Sequence, residues 1–181
     1  MTDETDDWAE QVRENRAEKD RFLAEHRQSP IPPGEREDFD GLEYFDPNPE
    51  YCVEASVAVH EEPEPVELDV TNGPPTRYER AVTFSFDLDG ETRELHGYRH
   101  DADESSVFVP FRDKTTGQET YEGGRYMELE AAGELADVEE VTLDFNLAYT
   151  PFCAFNDAFA CPLPPEENWL ETTVEAGERA P

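Results

Sequence analysis

Two arginines in the second half of the chain, Arg112 and Arg125, have side chains suited to binding an anion. A planar guanidinium group donates paired hydrogen bonds, so two such groups could clamp a carboxylate or a phosphate. In that interpretation Asp113, which directly follows the first arginine, positions the two arginines. Local ion pairing is the alternative, because the chain offers 46 acidic residues as partners. The sequence leaves both interpretations open.

A second group of polar side chains lies on the alternating segment Val141–Leu147. Alternation with a period of two places Thr142, Asp144 and Asn146 on one face of a strand. That face is ordinary surface if it meets solvent, but it lines a cavity if the sheet closes into a barrel. In the second case we expect Asp144 to act as a base or an orienting carboxylate, and Asn146 as a hydrogen-bond partner.

The chain contains three cysteines, Cys52, Cys153 and Cys161. An odd number of cysteines, in a protein that we expect to be cytoplasmic, argues against a disulfide framework. Seven residues separate Cys153 from Cys161, which is not the spacing of a zinc ribbon or a redox motif. We expect small buried side chains that close the wall of a site together with the loop from Tyr149. A bridge or a metal pair is the alternative.

The net charge excludes several classes of function. With 46 acidic and 14 basic residues the formal net charge is −32, which repels nucleic-acid phosphates and anionic lipid surfaces. Only two of the basic residues, Lys19 and Lys114, are lysines. No catalytic-serine, dinucleotide-binding or phosphate-loop motif occurs, so the sequence names neither a cofactor nor a reaction.

The acidic residues are spread through the whole chain, which is typical of proteins from salt-loving organisms. Salt at about 1 M shortens the screening length from about 8 Å to about 3 Å, so the repulsion becomes tolerable. A partly disordered acidic protein is the alternative, but 11 Phe, 7 Tyr and 2 Trp supply a core. The first thirty residues lack the apolar segment of a signal peptide, so we expect a cytoplasmic protein.

The pattern along the chain predicts one domain with three parts. Residues 1–28 form a polar helix, in which Arg16 and Asp20 make a surface pair, and residues 29–50 form a proline-rich extended arm. Residues 51–181 form the β domain, with a hairpin at Asp89-Gly90 and a proline-rich C-terminal loop. The predicted strands are Val53–Val59, Val66–Val70, Ala81–Leu88, Thr92–Tyr98, Val107–Phe111, Tyr126–Leu129 and Val138–Leu147. Seven or eight short strands favour a mainly β fold, either an antiparallel barrel or a sandwich.

Several short motifs occur together in this chain: Ser29-Pro30-Ile31-Pro32-Pro33, Phe111-Arg112-Asp113, Gly124-Arg125-Tyr126, Asp144-Phe145-Asn146, Cys153-Ala154 and Cys161-Pro162-Leu163-Pro164-Pro165. In combination they resemble the pattern of the domain of unknown function 1684 family, and the charge indicates a haloarchaeal-type member. The chain departs from that pattern at Thr150, where an asparagine is expected, and at Gly123. The family is uncharacterised, so the resemblance supplies no reaction, but it implies that the motifs form one unit.

These observations lead to two functional hypotheses. The first is a site for a small anionic ligand, a carboxylate or a phosphate, in a cavity of the β domain, with or without catalysis. The second is a non-catalytic structural or interaction module, in which the same residues form a buried polar network that holds the C-terminal loop on the sheet.

Overall fold

The computed structural model describes residues 4–100, 106–130 and 139–181. In these ranges the chain forms one long helix, six strands and several short 3-10 turns. The helix is α1 (Glu4–Glu25), and the strands are β1 (Cys52–Leu68), β2 (Thr76–Leu88), β3 (Glu91–Arg99), β4 (Ser106–Phe111), β5 (Arg125–Glu130) and β6 (Glu140–Asp144).

Helix α1 is polar and buries few of its side chains. Val12 and Leu23 are the buried residues of the helix, which also bonds to the rest of the chain through Trp8 and Arg16. The helix ends at Glu25, earlier than residue 28, because the following residues turn back on it. In this turn the Ser29 hydroxyl donates to the Leu23 carbonyl at 2.6 Å. Within the described residues, no helix is long and apolar enough to cross a membrane.

All six strands belong to one antiparallel sheet, in the order β5-β4-β3-β2-β1-β6. The sheet curls into a half-barrel, which brings its two outer strands towards each other. Tyr126 of β5 and Tyr149, which follows β6, exchange backbone hydrogen bonds of 2.9 and 3.0 Å. The predicted mainly β, antiparallel fold with an N-terminal helix is therefore confirmed.

The number of strands is lower than expected because two predicted strands are one. Strand β1 runs through both segments, and a register shift between Val59 and Glu64 absorbs the extra residues. Strand β6 also ends earlier than predicted. The Asp144 carboxylate accepts a hydrogen bond from the Asn146 amide at 2.9 Å and turns the chain into a 3-10 turn. The start of that predicted strand, residue 138, lies outside the described residues.

The core lies inside the curl of the sheet. Phe84, Phe111 and Phe145 are fully buried there, and the C-terminal segment adds Leu170 and Val174 to the same cluster. The loop after β6 and the C-terminal segment are thus part of the hydrophobic core. Burial of this apolar surface stabilises the fold by about 25 cal/mol per Å².

Candidate functional site

The Arg125 side chain is completely buried and bonds to the C-terminal segment. Its Nη1 donates to the carbonyl oxygens of Ala176 and Glu178, the latter at 3.3 Å. Its Nη2 donates to the Val174 carbonyl at 2.9 Å and to Asp113 Oδ1 at 3.3 Å. Burial lowers the pKa of Arg125, and the facing Asp113 carboxylate partly opposes that effect. Both terminal nitrogens thus face protein oxygens and not a cavity.

Asp113 completes this network from the other side. Its Oδ2 accepts hydrogen bonds from the backbone amide of Val174 at 2.7 Å and from the Thr115 hydroxyl at 2.7 Å. Its Oδ1 accepts from the Thr116 hydroxyl at 3.2 Å as well as from Arg125. The carboxylate therefore joins the turn after β4 to the C-terminal segment.

Arg112 lies in a different environment from Arg125. Its guanidinium carbon is 4.9 Å from the centre of the Trp169 ring, and the Trp169 side chain is exposed. The cause is the register: Phe111 pairs with Arg125, and Arg112, which directly follows β4, points to the opposite face. The structure does not bring the two predicted arginines together.

Asp144 and Asn146, in contrast, are brought together. Asp144 Oδ1 accepts hydrogen bonds from the backbone and side-chain nitrogens of Asn146, both at 2.9 Å. Asp144 Oδ2 accepts from the Trp8 indole of α1 at 2.9 Å. Burial, reinforced by the same carboxylate, raises the pKa of the Cys52 thiol to about 12. Both oxygens of Asp144 have protein donors in this arrangement, and the residue caps the 3-10 turn.

Asn146 also attaches the proline-rich arm to the sheet. Its Oδ1 accepts from the Asn48 amide at 2.8 Å, and its Nδ2 donates to the Asn48 carbonyl at 2.9 Å. The Asn146 backbone carbonyl accepts from Arg16 of α1 at 3.4 Å. The buried residue Asn146 thus contacts the helix, the arm and the end of β6.

A cavity of about 200 Å³ lies where α1 packs on the end of the half-barrel. We call it the helix–sheet cavity. Its lining residues are Val12, Asn15, Arg16, Lys19, Tyr44, Asn146, Leu147, Ala148, Tyr149 and Glu178. Two residues of the predicted site, Asn146 and Tyr149, are among them.

Two basic side chains of α1 border the helix–sheet cavity. Arg16 Nη1 donates to the Phe45 carbonyl at 2.7 Å, and its guanidinium lies 4.5 Å from the centre of the Tyr44 ring. Its Nε is buried and has no hydrogen-bond partner, and burial lowers the pKa of this arginine. Lys19 forms an ion pair with the buried Glu178 and lies 5.0 Å from the centre of the Tyr149 ring.

Sequence reasoning missed Arg16 and Lys19 as site residues. The predicted surface pair of Arg16 with Asp20 is replaced by long-range contacts, since Asp20 accepts from the Leu42 amide at 3.0 Å. The rarity of lysine was the one signal available, because Lys19 is one of only two lysines in the chain.

A second cavity, of about 240 Å³, lies between the outer strands β5 and β6. Tyr149 borders it, and the Tyr149 hydroxyl donates to the Glu128 carboxylate at 2.9 Å. Burial raises the pKa of Tyr149 well above its usual range, so the hydroxyl stays a donor. Glu128 and Asp144 give this cavity an acidic lining, which disfavours an anion.

Cys153 and Cys161 lie together in a small buried cluster with Tyr126. The Tyr121 hydroxyl lies 3.5 Å from Cys153 Sγ. The interaction between the two neighbouring cysteines lowers the pKa of Cys153 and raises that of Cys161. In the ranges that the structure describes, no three histidine, cysteine or acidic side chains converge as metal ligands would.

Comparison with known proteins identifies a family and similar solved structures. The family described as "Protein of unknown function (DUF1684)" matches residues 37–179, so the N-terminal part of the resemblance lies outside the match. The solution NMR structure of an uncharacterised protein from Haloarcula marismortui is similar, with 64% sequence identity and a TM-score of 0.76. The similarity covers 99% of this chain and 97% of that one. No curated protein matches the chain.

Proposed function

Since the chain belongs to the DUF1684 family, whose function is unknown, we propose from its geometry that it binds a small anionic ligand in the helix–sheet cavity. Arg16 and Lys19 attract the anion, Asn146 and Tyr149 form the wall, and the protein works in a salt-adapted cytoplasm. The proposed ligand is still the small anion expected from the sequence. The side chains that bind it are Arg16 and Lys19 and not Arg112 and Arg125.

The local charge at the cavity carries the proposal. Its lining holds two basic residues, Arg16 and Lys19, and one acidic residue, Glu178, so its formal charge is +2 − 1 = +1. The whole chain has a formal net charge of −32. A positive lining is therefore a local exception, and it favours an anion over a cation or a neutral ligand.

Arg16 is the main candidate for contact with the anion. A half-buried guanidinium has lost part of its hydration, and its lowered pKa reflects that loss, which Tyr44 and Glu178 offset only in part. An anion in the cavity would restore favourable interactions to the charged group. The partnerless Nε of Arg16 adds a donor whose burial costs free energy until an acceptor arrives.

The size of the cavity limits the ligand. A cavity of about 150 Å³ holds one benzene molecule, so about 200 Å³ suits a small organic acid or inorganic phosphate. Val12, Leu147 and Ala148 supply apolar walls beside the basic groups. This mixture favours a short carboxylate with a hydrocarbon portion over a bare inorganic ion.

One observation favours the second candidate, a non-catalytic structural or interaction module. The ion pair between Arg125 and Asp113 is fully enclosed, and the pair holds the C-terminal segment through the carbonyl of Val174. A network of this kind suits a rigid scaffold more than a binding site. A structural role for this network does not account for the helix–sheet cavity, so we rank this candidate second.

The test is an NMR titration of the full-length protein with acetate, malonate, succinate and inorganic phosphate at constant ionic strength. The proposal expects saturable shifts at the Trp8 indole and at the amides of Asn146 and Tyr149. Arg16→Gln should weaken binding about 10- to 100-fold, because a hydrogen bond to a charged group contributes about 1.5–3 kcal/mol. Arg16→Lys keeps the positive charge and serves as the control for a loss of binding that results from a disturbed fold.

Two matched controls come from the same chain. Arg13→Gln removes an exposed arginine of α1, and Lys114→Gln removes the lysine outside the cavity, whereas Lys19→Gln acts inside it. The two control variants should bind like the wild type. Absence of saturable shifts with all four anions, or equal affinity in Arg16→Gln and Arg13→Gln, would reject the site and leave the structural module.

A further inference from the structure

We propose that Cys153 and Cys161 form a redox-active dithiol, which a low-molecular-weight disulfide converts reversibly into an intramolecular disulfide. The two cysteines belong to one small buried cluster with Tyr126, and each is the neighbour that shifts the pKa of the other most. Two cysteines packed in one cluster can form a bridge when their Cβ atoms come within about 4.5 Å of each other. This proposal is independent of anion binding in the helix–sheet cavity.

The backbone around the pair is anchored, so oxidation does not require the loop to refold. The Cys161 amide donates to the Thr71 hydroxyl at 3.2 Å, and the Thr71 amide donates to the Cys161 carbonyl at 3.1 Å. On the other side, the Ala154 amide donates to the Pro151 carbonyl at 3.1 Å in a 3-10 turn that contains Cys153. Both cysteines thus keep their positions while the sulfur atoms react.

The surroundings identify Cys153 as the thiol that reacts first. The Tyr121 hydroxyl lies 3.5 Å from its sulfur, and the neighbouring Cys161 and Tyr121 both lower the pKa of Cys153, which favours the thiolate form. Cys161 has the opposite character, since the neighbouring Cys153 and burial raise its pKa and favour the thiol form. One attacking and one resolving thiol are the two roles that disulfide exchange requires.

The reaction balances as a two-electron exchange. The Cys153 thiolate attacks one sulfur of the small disulfide RSSR, forms a mixed disulfide and releases one thiolate RS⁻, which takes up a proton. Cys161 then loses its proton and attacks the Cys153 sulfur, which releases the second RS⁻. The protein dithiol is oxidised, RSSR is reduced to two RSH, and the thiol protons pass to the two leaving thiolates.

The pair lies near enough to the surface for a small reagent to reach it. Thr71, which contacts Cys161, is exposed, and Phe159 on the loop between the cysteines is 38% exposed. The two cysteines keep 7% and 8% of their own surface accessible. Exchange should therefore be slower than at an exposed thiol but should not need global unfolding.

The experiment incubates the folded full-length protein with oxidised glutathione, alkylates it under denaturing conditions and maps the peptides by mass spectrometry. The wild type should lose two alkylation sites and yield a Cys153–Cys161 cross-linked peptide, with Cys52 alkylated. Cys161→Ser should stop at a glutathione adduct on Cys153, because the resolving thiol is gone. Cys52→Ser is the matched control and should still form the bridge.

A second measurement avoids variants altogether. Phenylarsine oxide bridges two adjacent thiols, so one equivalent should protect Cys153 and Cys161 of the native wild type from alkylation together. Alkylation of all three cysteines after both reagents, or a bridge that contains Cys52, would overturn the proposal. If Cys161→Ser fails to fold, the two wild-type measurements still decide the question.

Discussion

Arg125 Nη2 and Asp113 Oδ1 lie 3.3 Å apart, and neither side chain has any solvent-accessible surface. Enclosing two charges costs several kcal/mol each unless their hydrogen bonds are replaced. Here the carbonyls of Val174 and Glu178 supply much of the replacement. The C-terminal segment is therefore part of the structure that makes this ion pair tolerable, and the pair in turn fixes that segment.

Replacing the buried arginine should destabilise the fold strongly. Arg125→Met leaves the Asp113 carboxylate enclosed without its cation, which should lower the free energy of unfolding by about 3–5 kcal/mol. The matched control is Arg112→Met, which removes only a stacking contact with the exposed Trp169 and should cost about 0.5–1 kcal/mol. Urea denaturation at a fixed KCl concentration measures both, and equal losses would contradict the assigned roles.

Local patterns made most of the fold predictable. Alternation located five strands well, and the Asp89-Gly90 pair marked the turn between β2 and β3, where Asp89 has a φ of 58°. The merging of two predicted strands into β1 was not predictable in this way. It depends on a register shift opposite Val82 and Arg80 of β2, which is a property of the pairing and not of one segment.

The site was less predictable because its parts meet through long-range contacts. The chain positions of Arg112 and Arg125 suggested one clamp, but the register Phe111↔Arg125 separates their side chains. Asp144 and Asn146 were expected on one face of a strand, but the strand ends at Asp144 and the two side chains meet in a 3-10 turn. Arg16 reaches Asn146 across 130 positions, and no local pattern encodes such a contact.

Stability should fall between pH 7.5 and pH 5.5 because of His96. Burial lowers its pKa, while the facing Glu167 and Glu94 oppose and Arg80 and His60 reinforce the shift. The unfolded chain therefore binds a proton more readily than the folded protein. The stabilising contribution is complete above the unfolded pKa of about 6.5 and is lost as the pH falls towards the lower folded value.

The variant that tests this pH dependence is His96→Asn, which offers Thr83 an amide in place of the Nδ1 that lies 3.0 Å from its hydroxyl. The difference in unfolding free energy between the two pH values should shrink in this variant. His26→Asn at the exposed end of α1 should leave the difference unchanged. An unaltered pH dependence in His96→Asn would assign the effect to other groups.

Gly177 is required by close packing as well as by its backbone conformation. It has a φ of +81°, and a Cβ there would lie 2.7 Å from the Ala148 carbonyl oxygen and 2.9 Å from that of Phe145. Gly73 has a φ of +111° but open space around it. Gly73→Ala should therefore cost about 1–2 kcal/mol from the backbone alone. Gly177→Ala should cost about 1–3 kcal/mol more, because the neighbouring turn must move. Thermal denaturation of the two variants separates the contributions, and equal losses would show that packing at Gly177 is loose.

The stability of the fold should depend on salt. A formal net charge of −32 repels itself over about 30 Å at 0.01 M salt but over only about 3 Å at 1 M. We expect the near-ultraviolet circular dichroism of the buried aromatics to disappear on dialysis into low KCl and to return when KCl is restored.

Charge variants separate this repulsion from other effects of salt. Glu61 and Glu62 are exposed on β1, and replacing both with glutamine changes the net charge from −32 to −32 + 2 = −30. This double variant should need less KCl to fold. Arg13→Gln changes the net charge to −32 − 1 = −33 and should need more, although it also alters an exposed side chain. Shifts of the KCl midpoint in opposite directions identify electrostatic screening. An effect of KCl on apolar burial would give the two variants the same midpoint. A protein that stays fully folded at low salt would show that packing outweighs the repulsion.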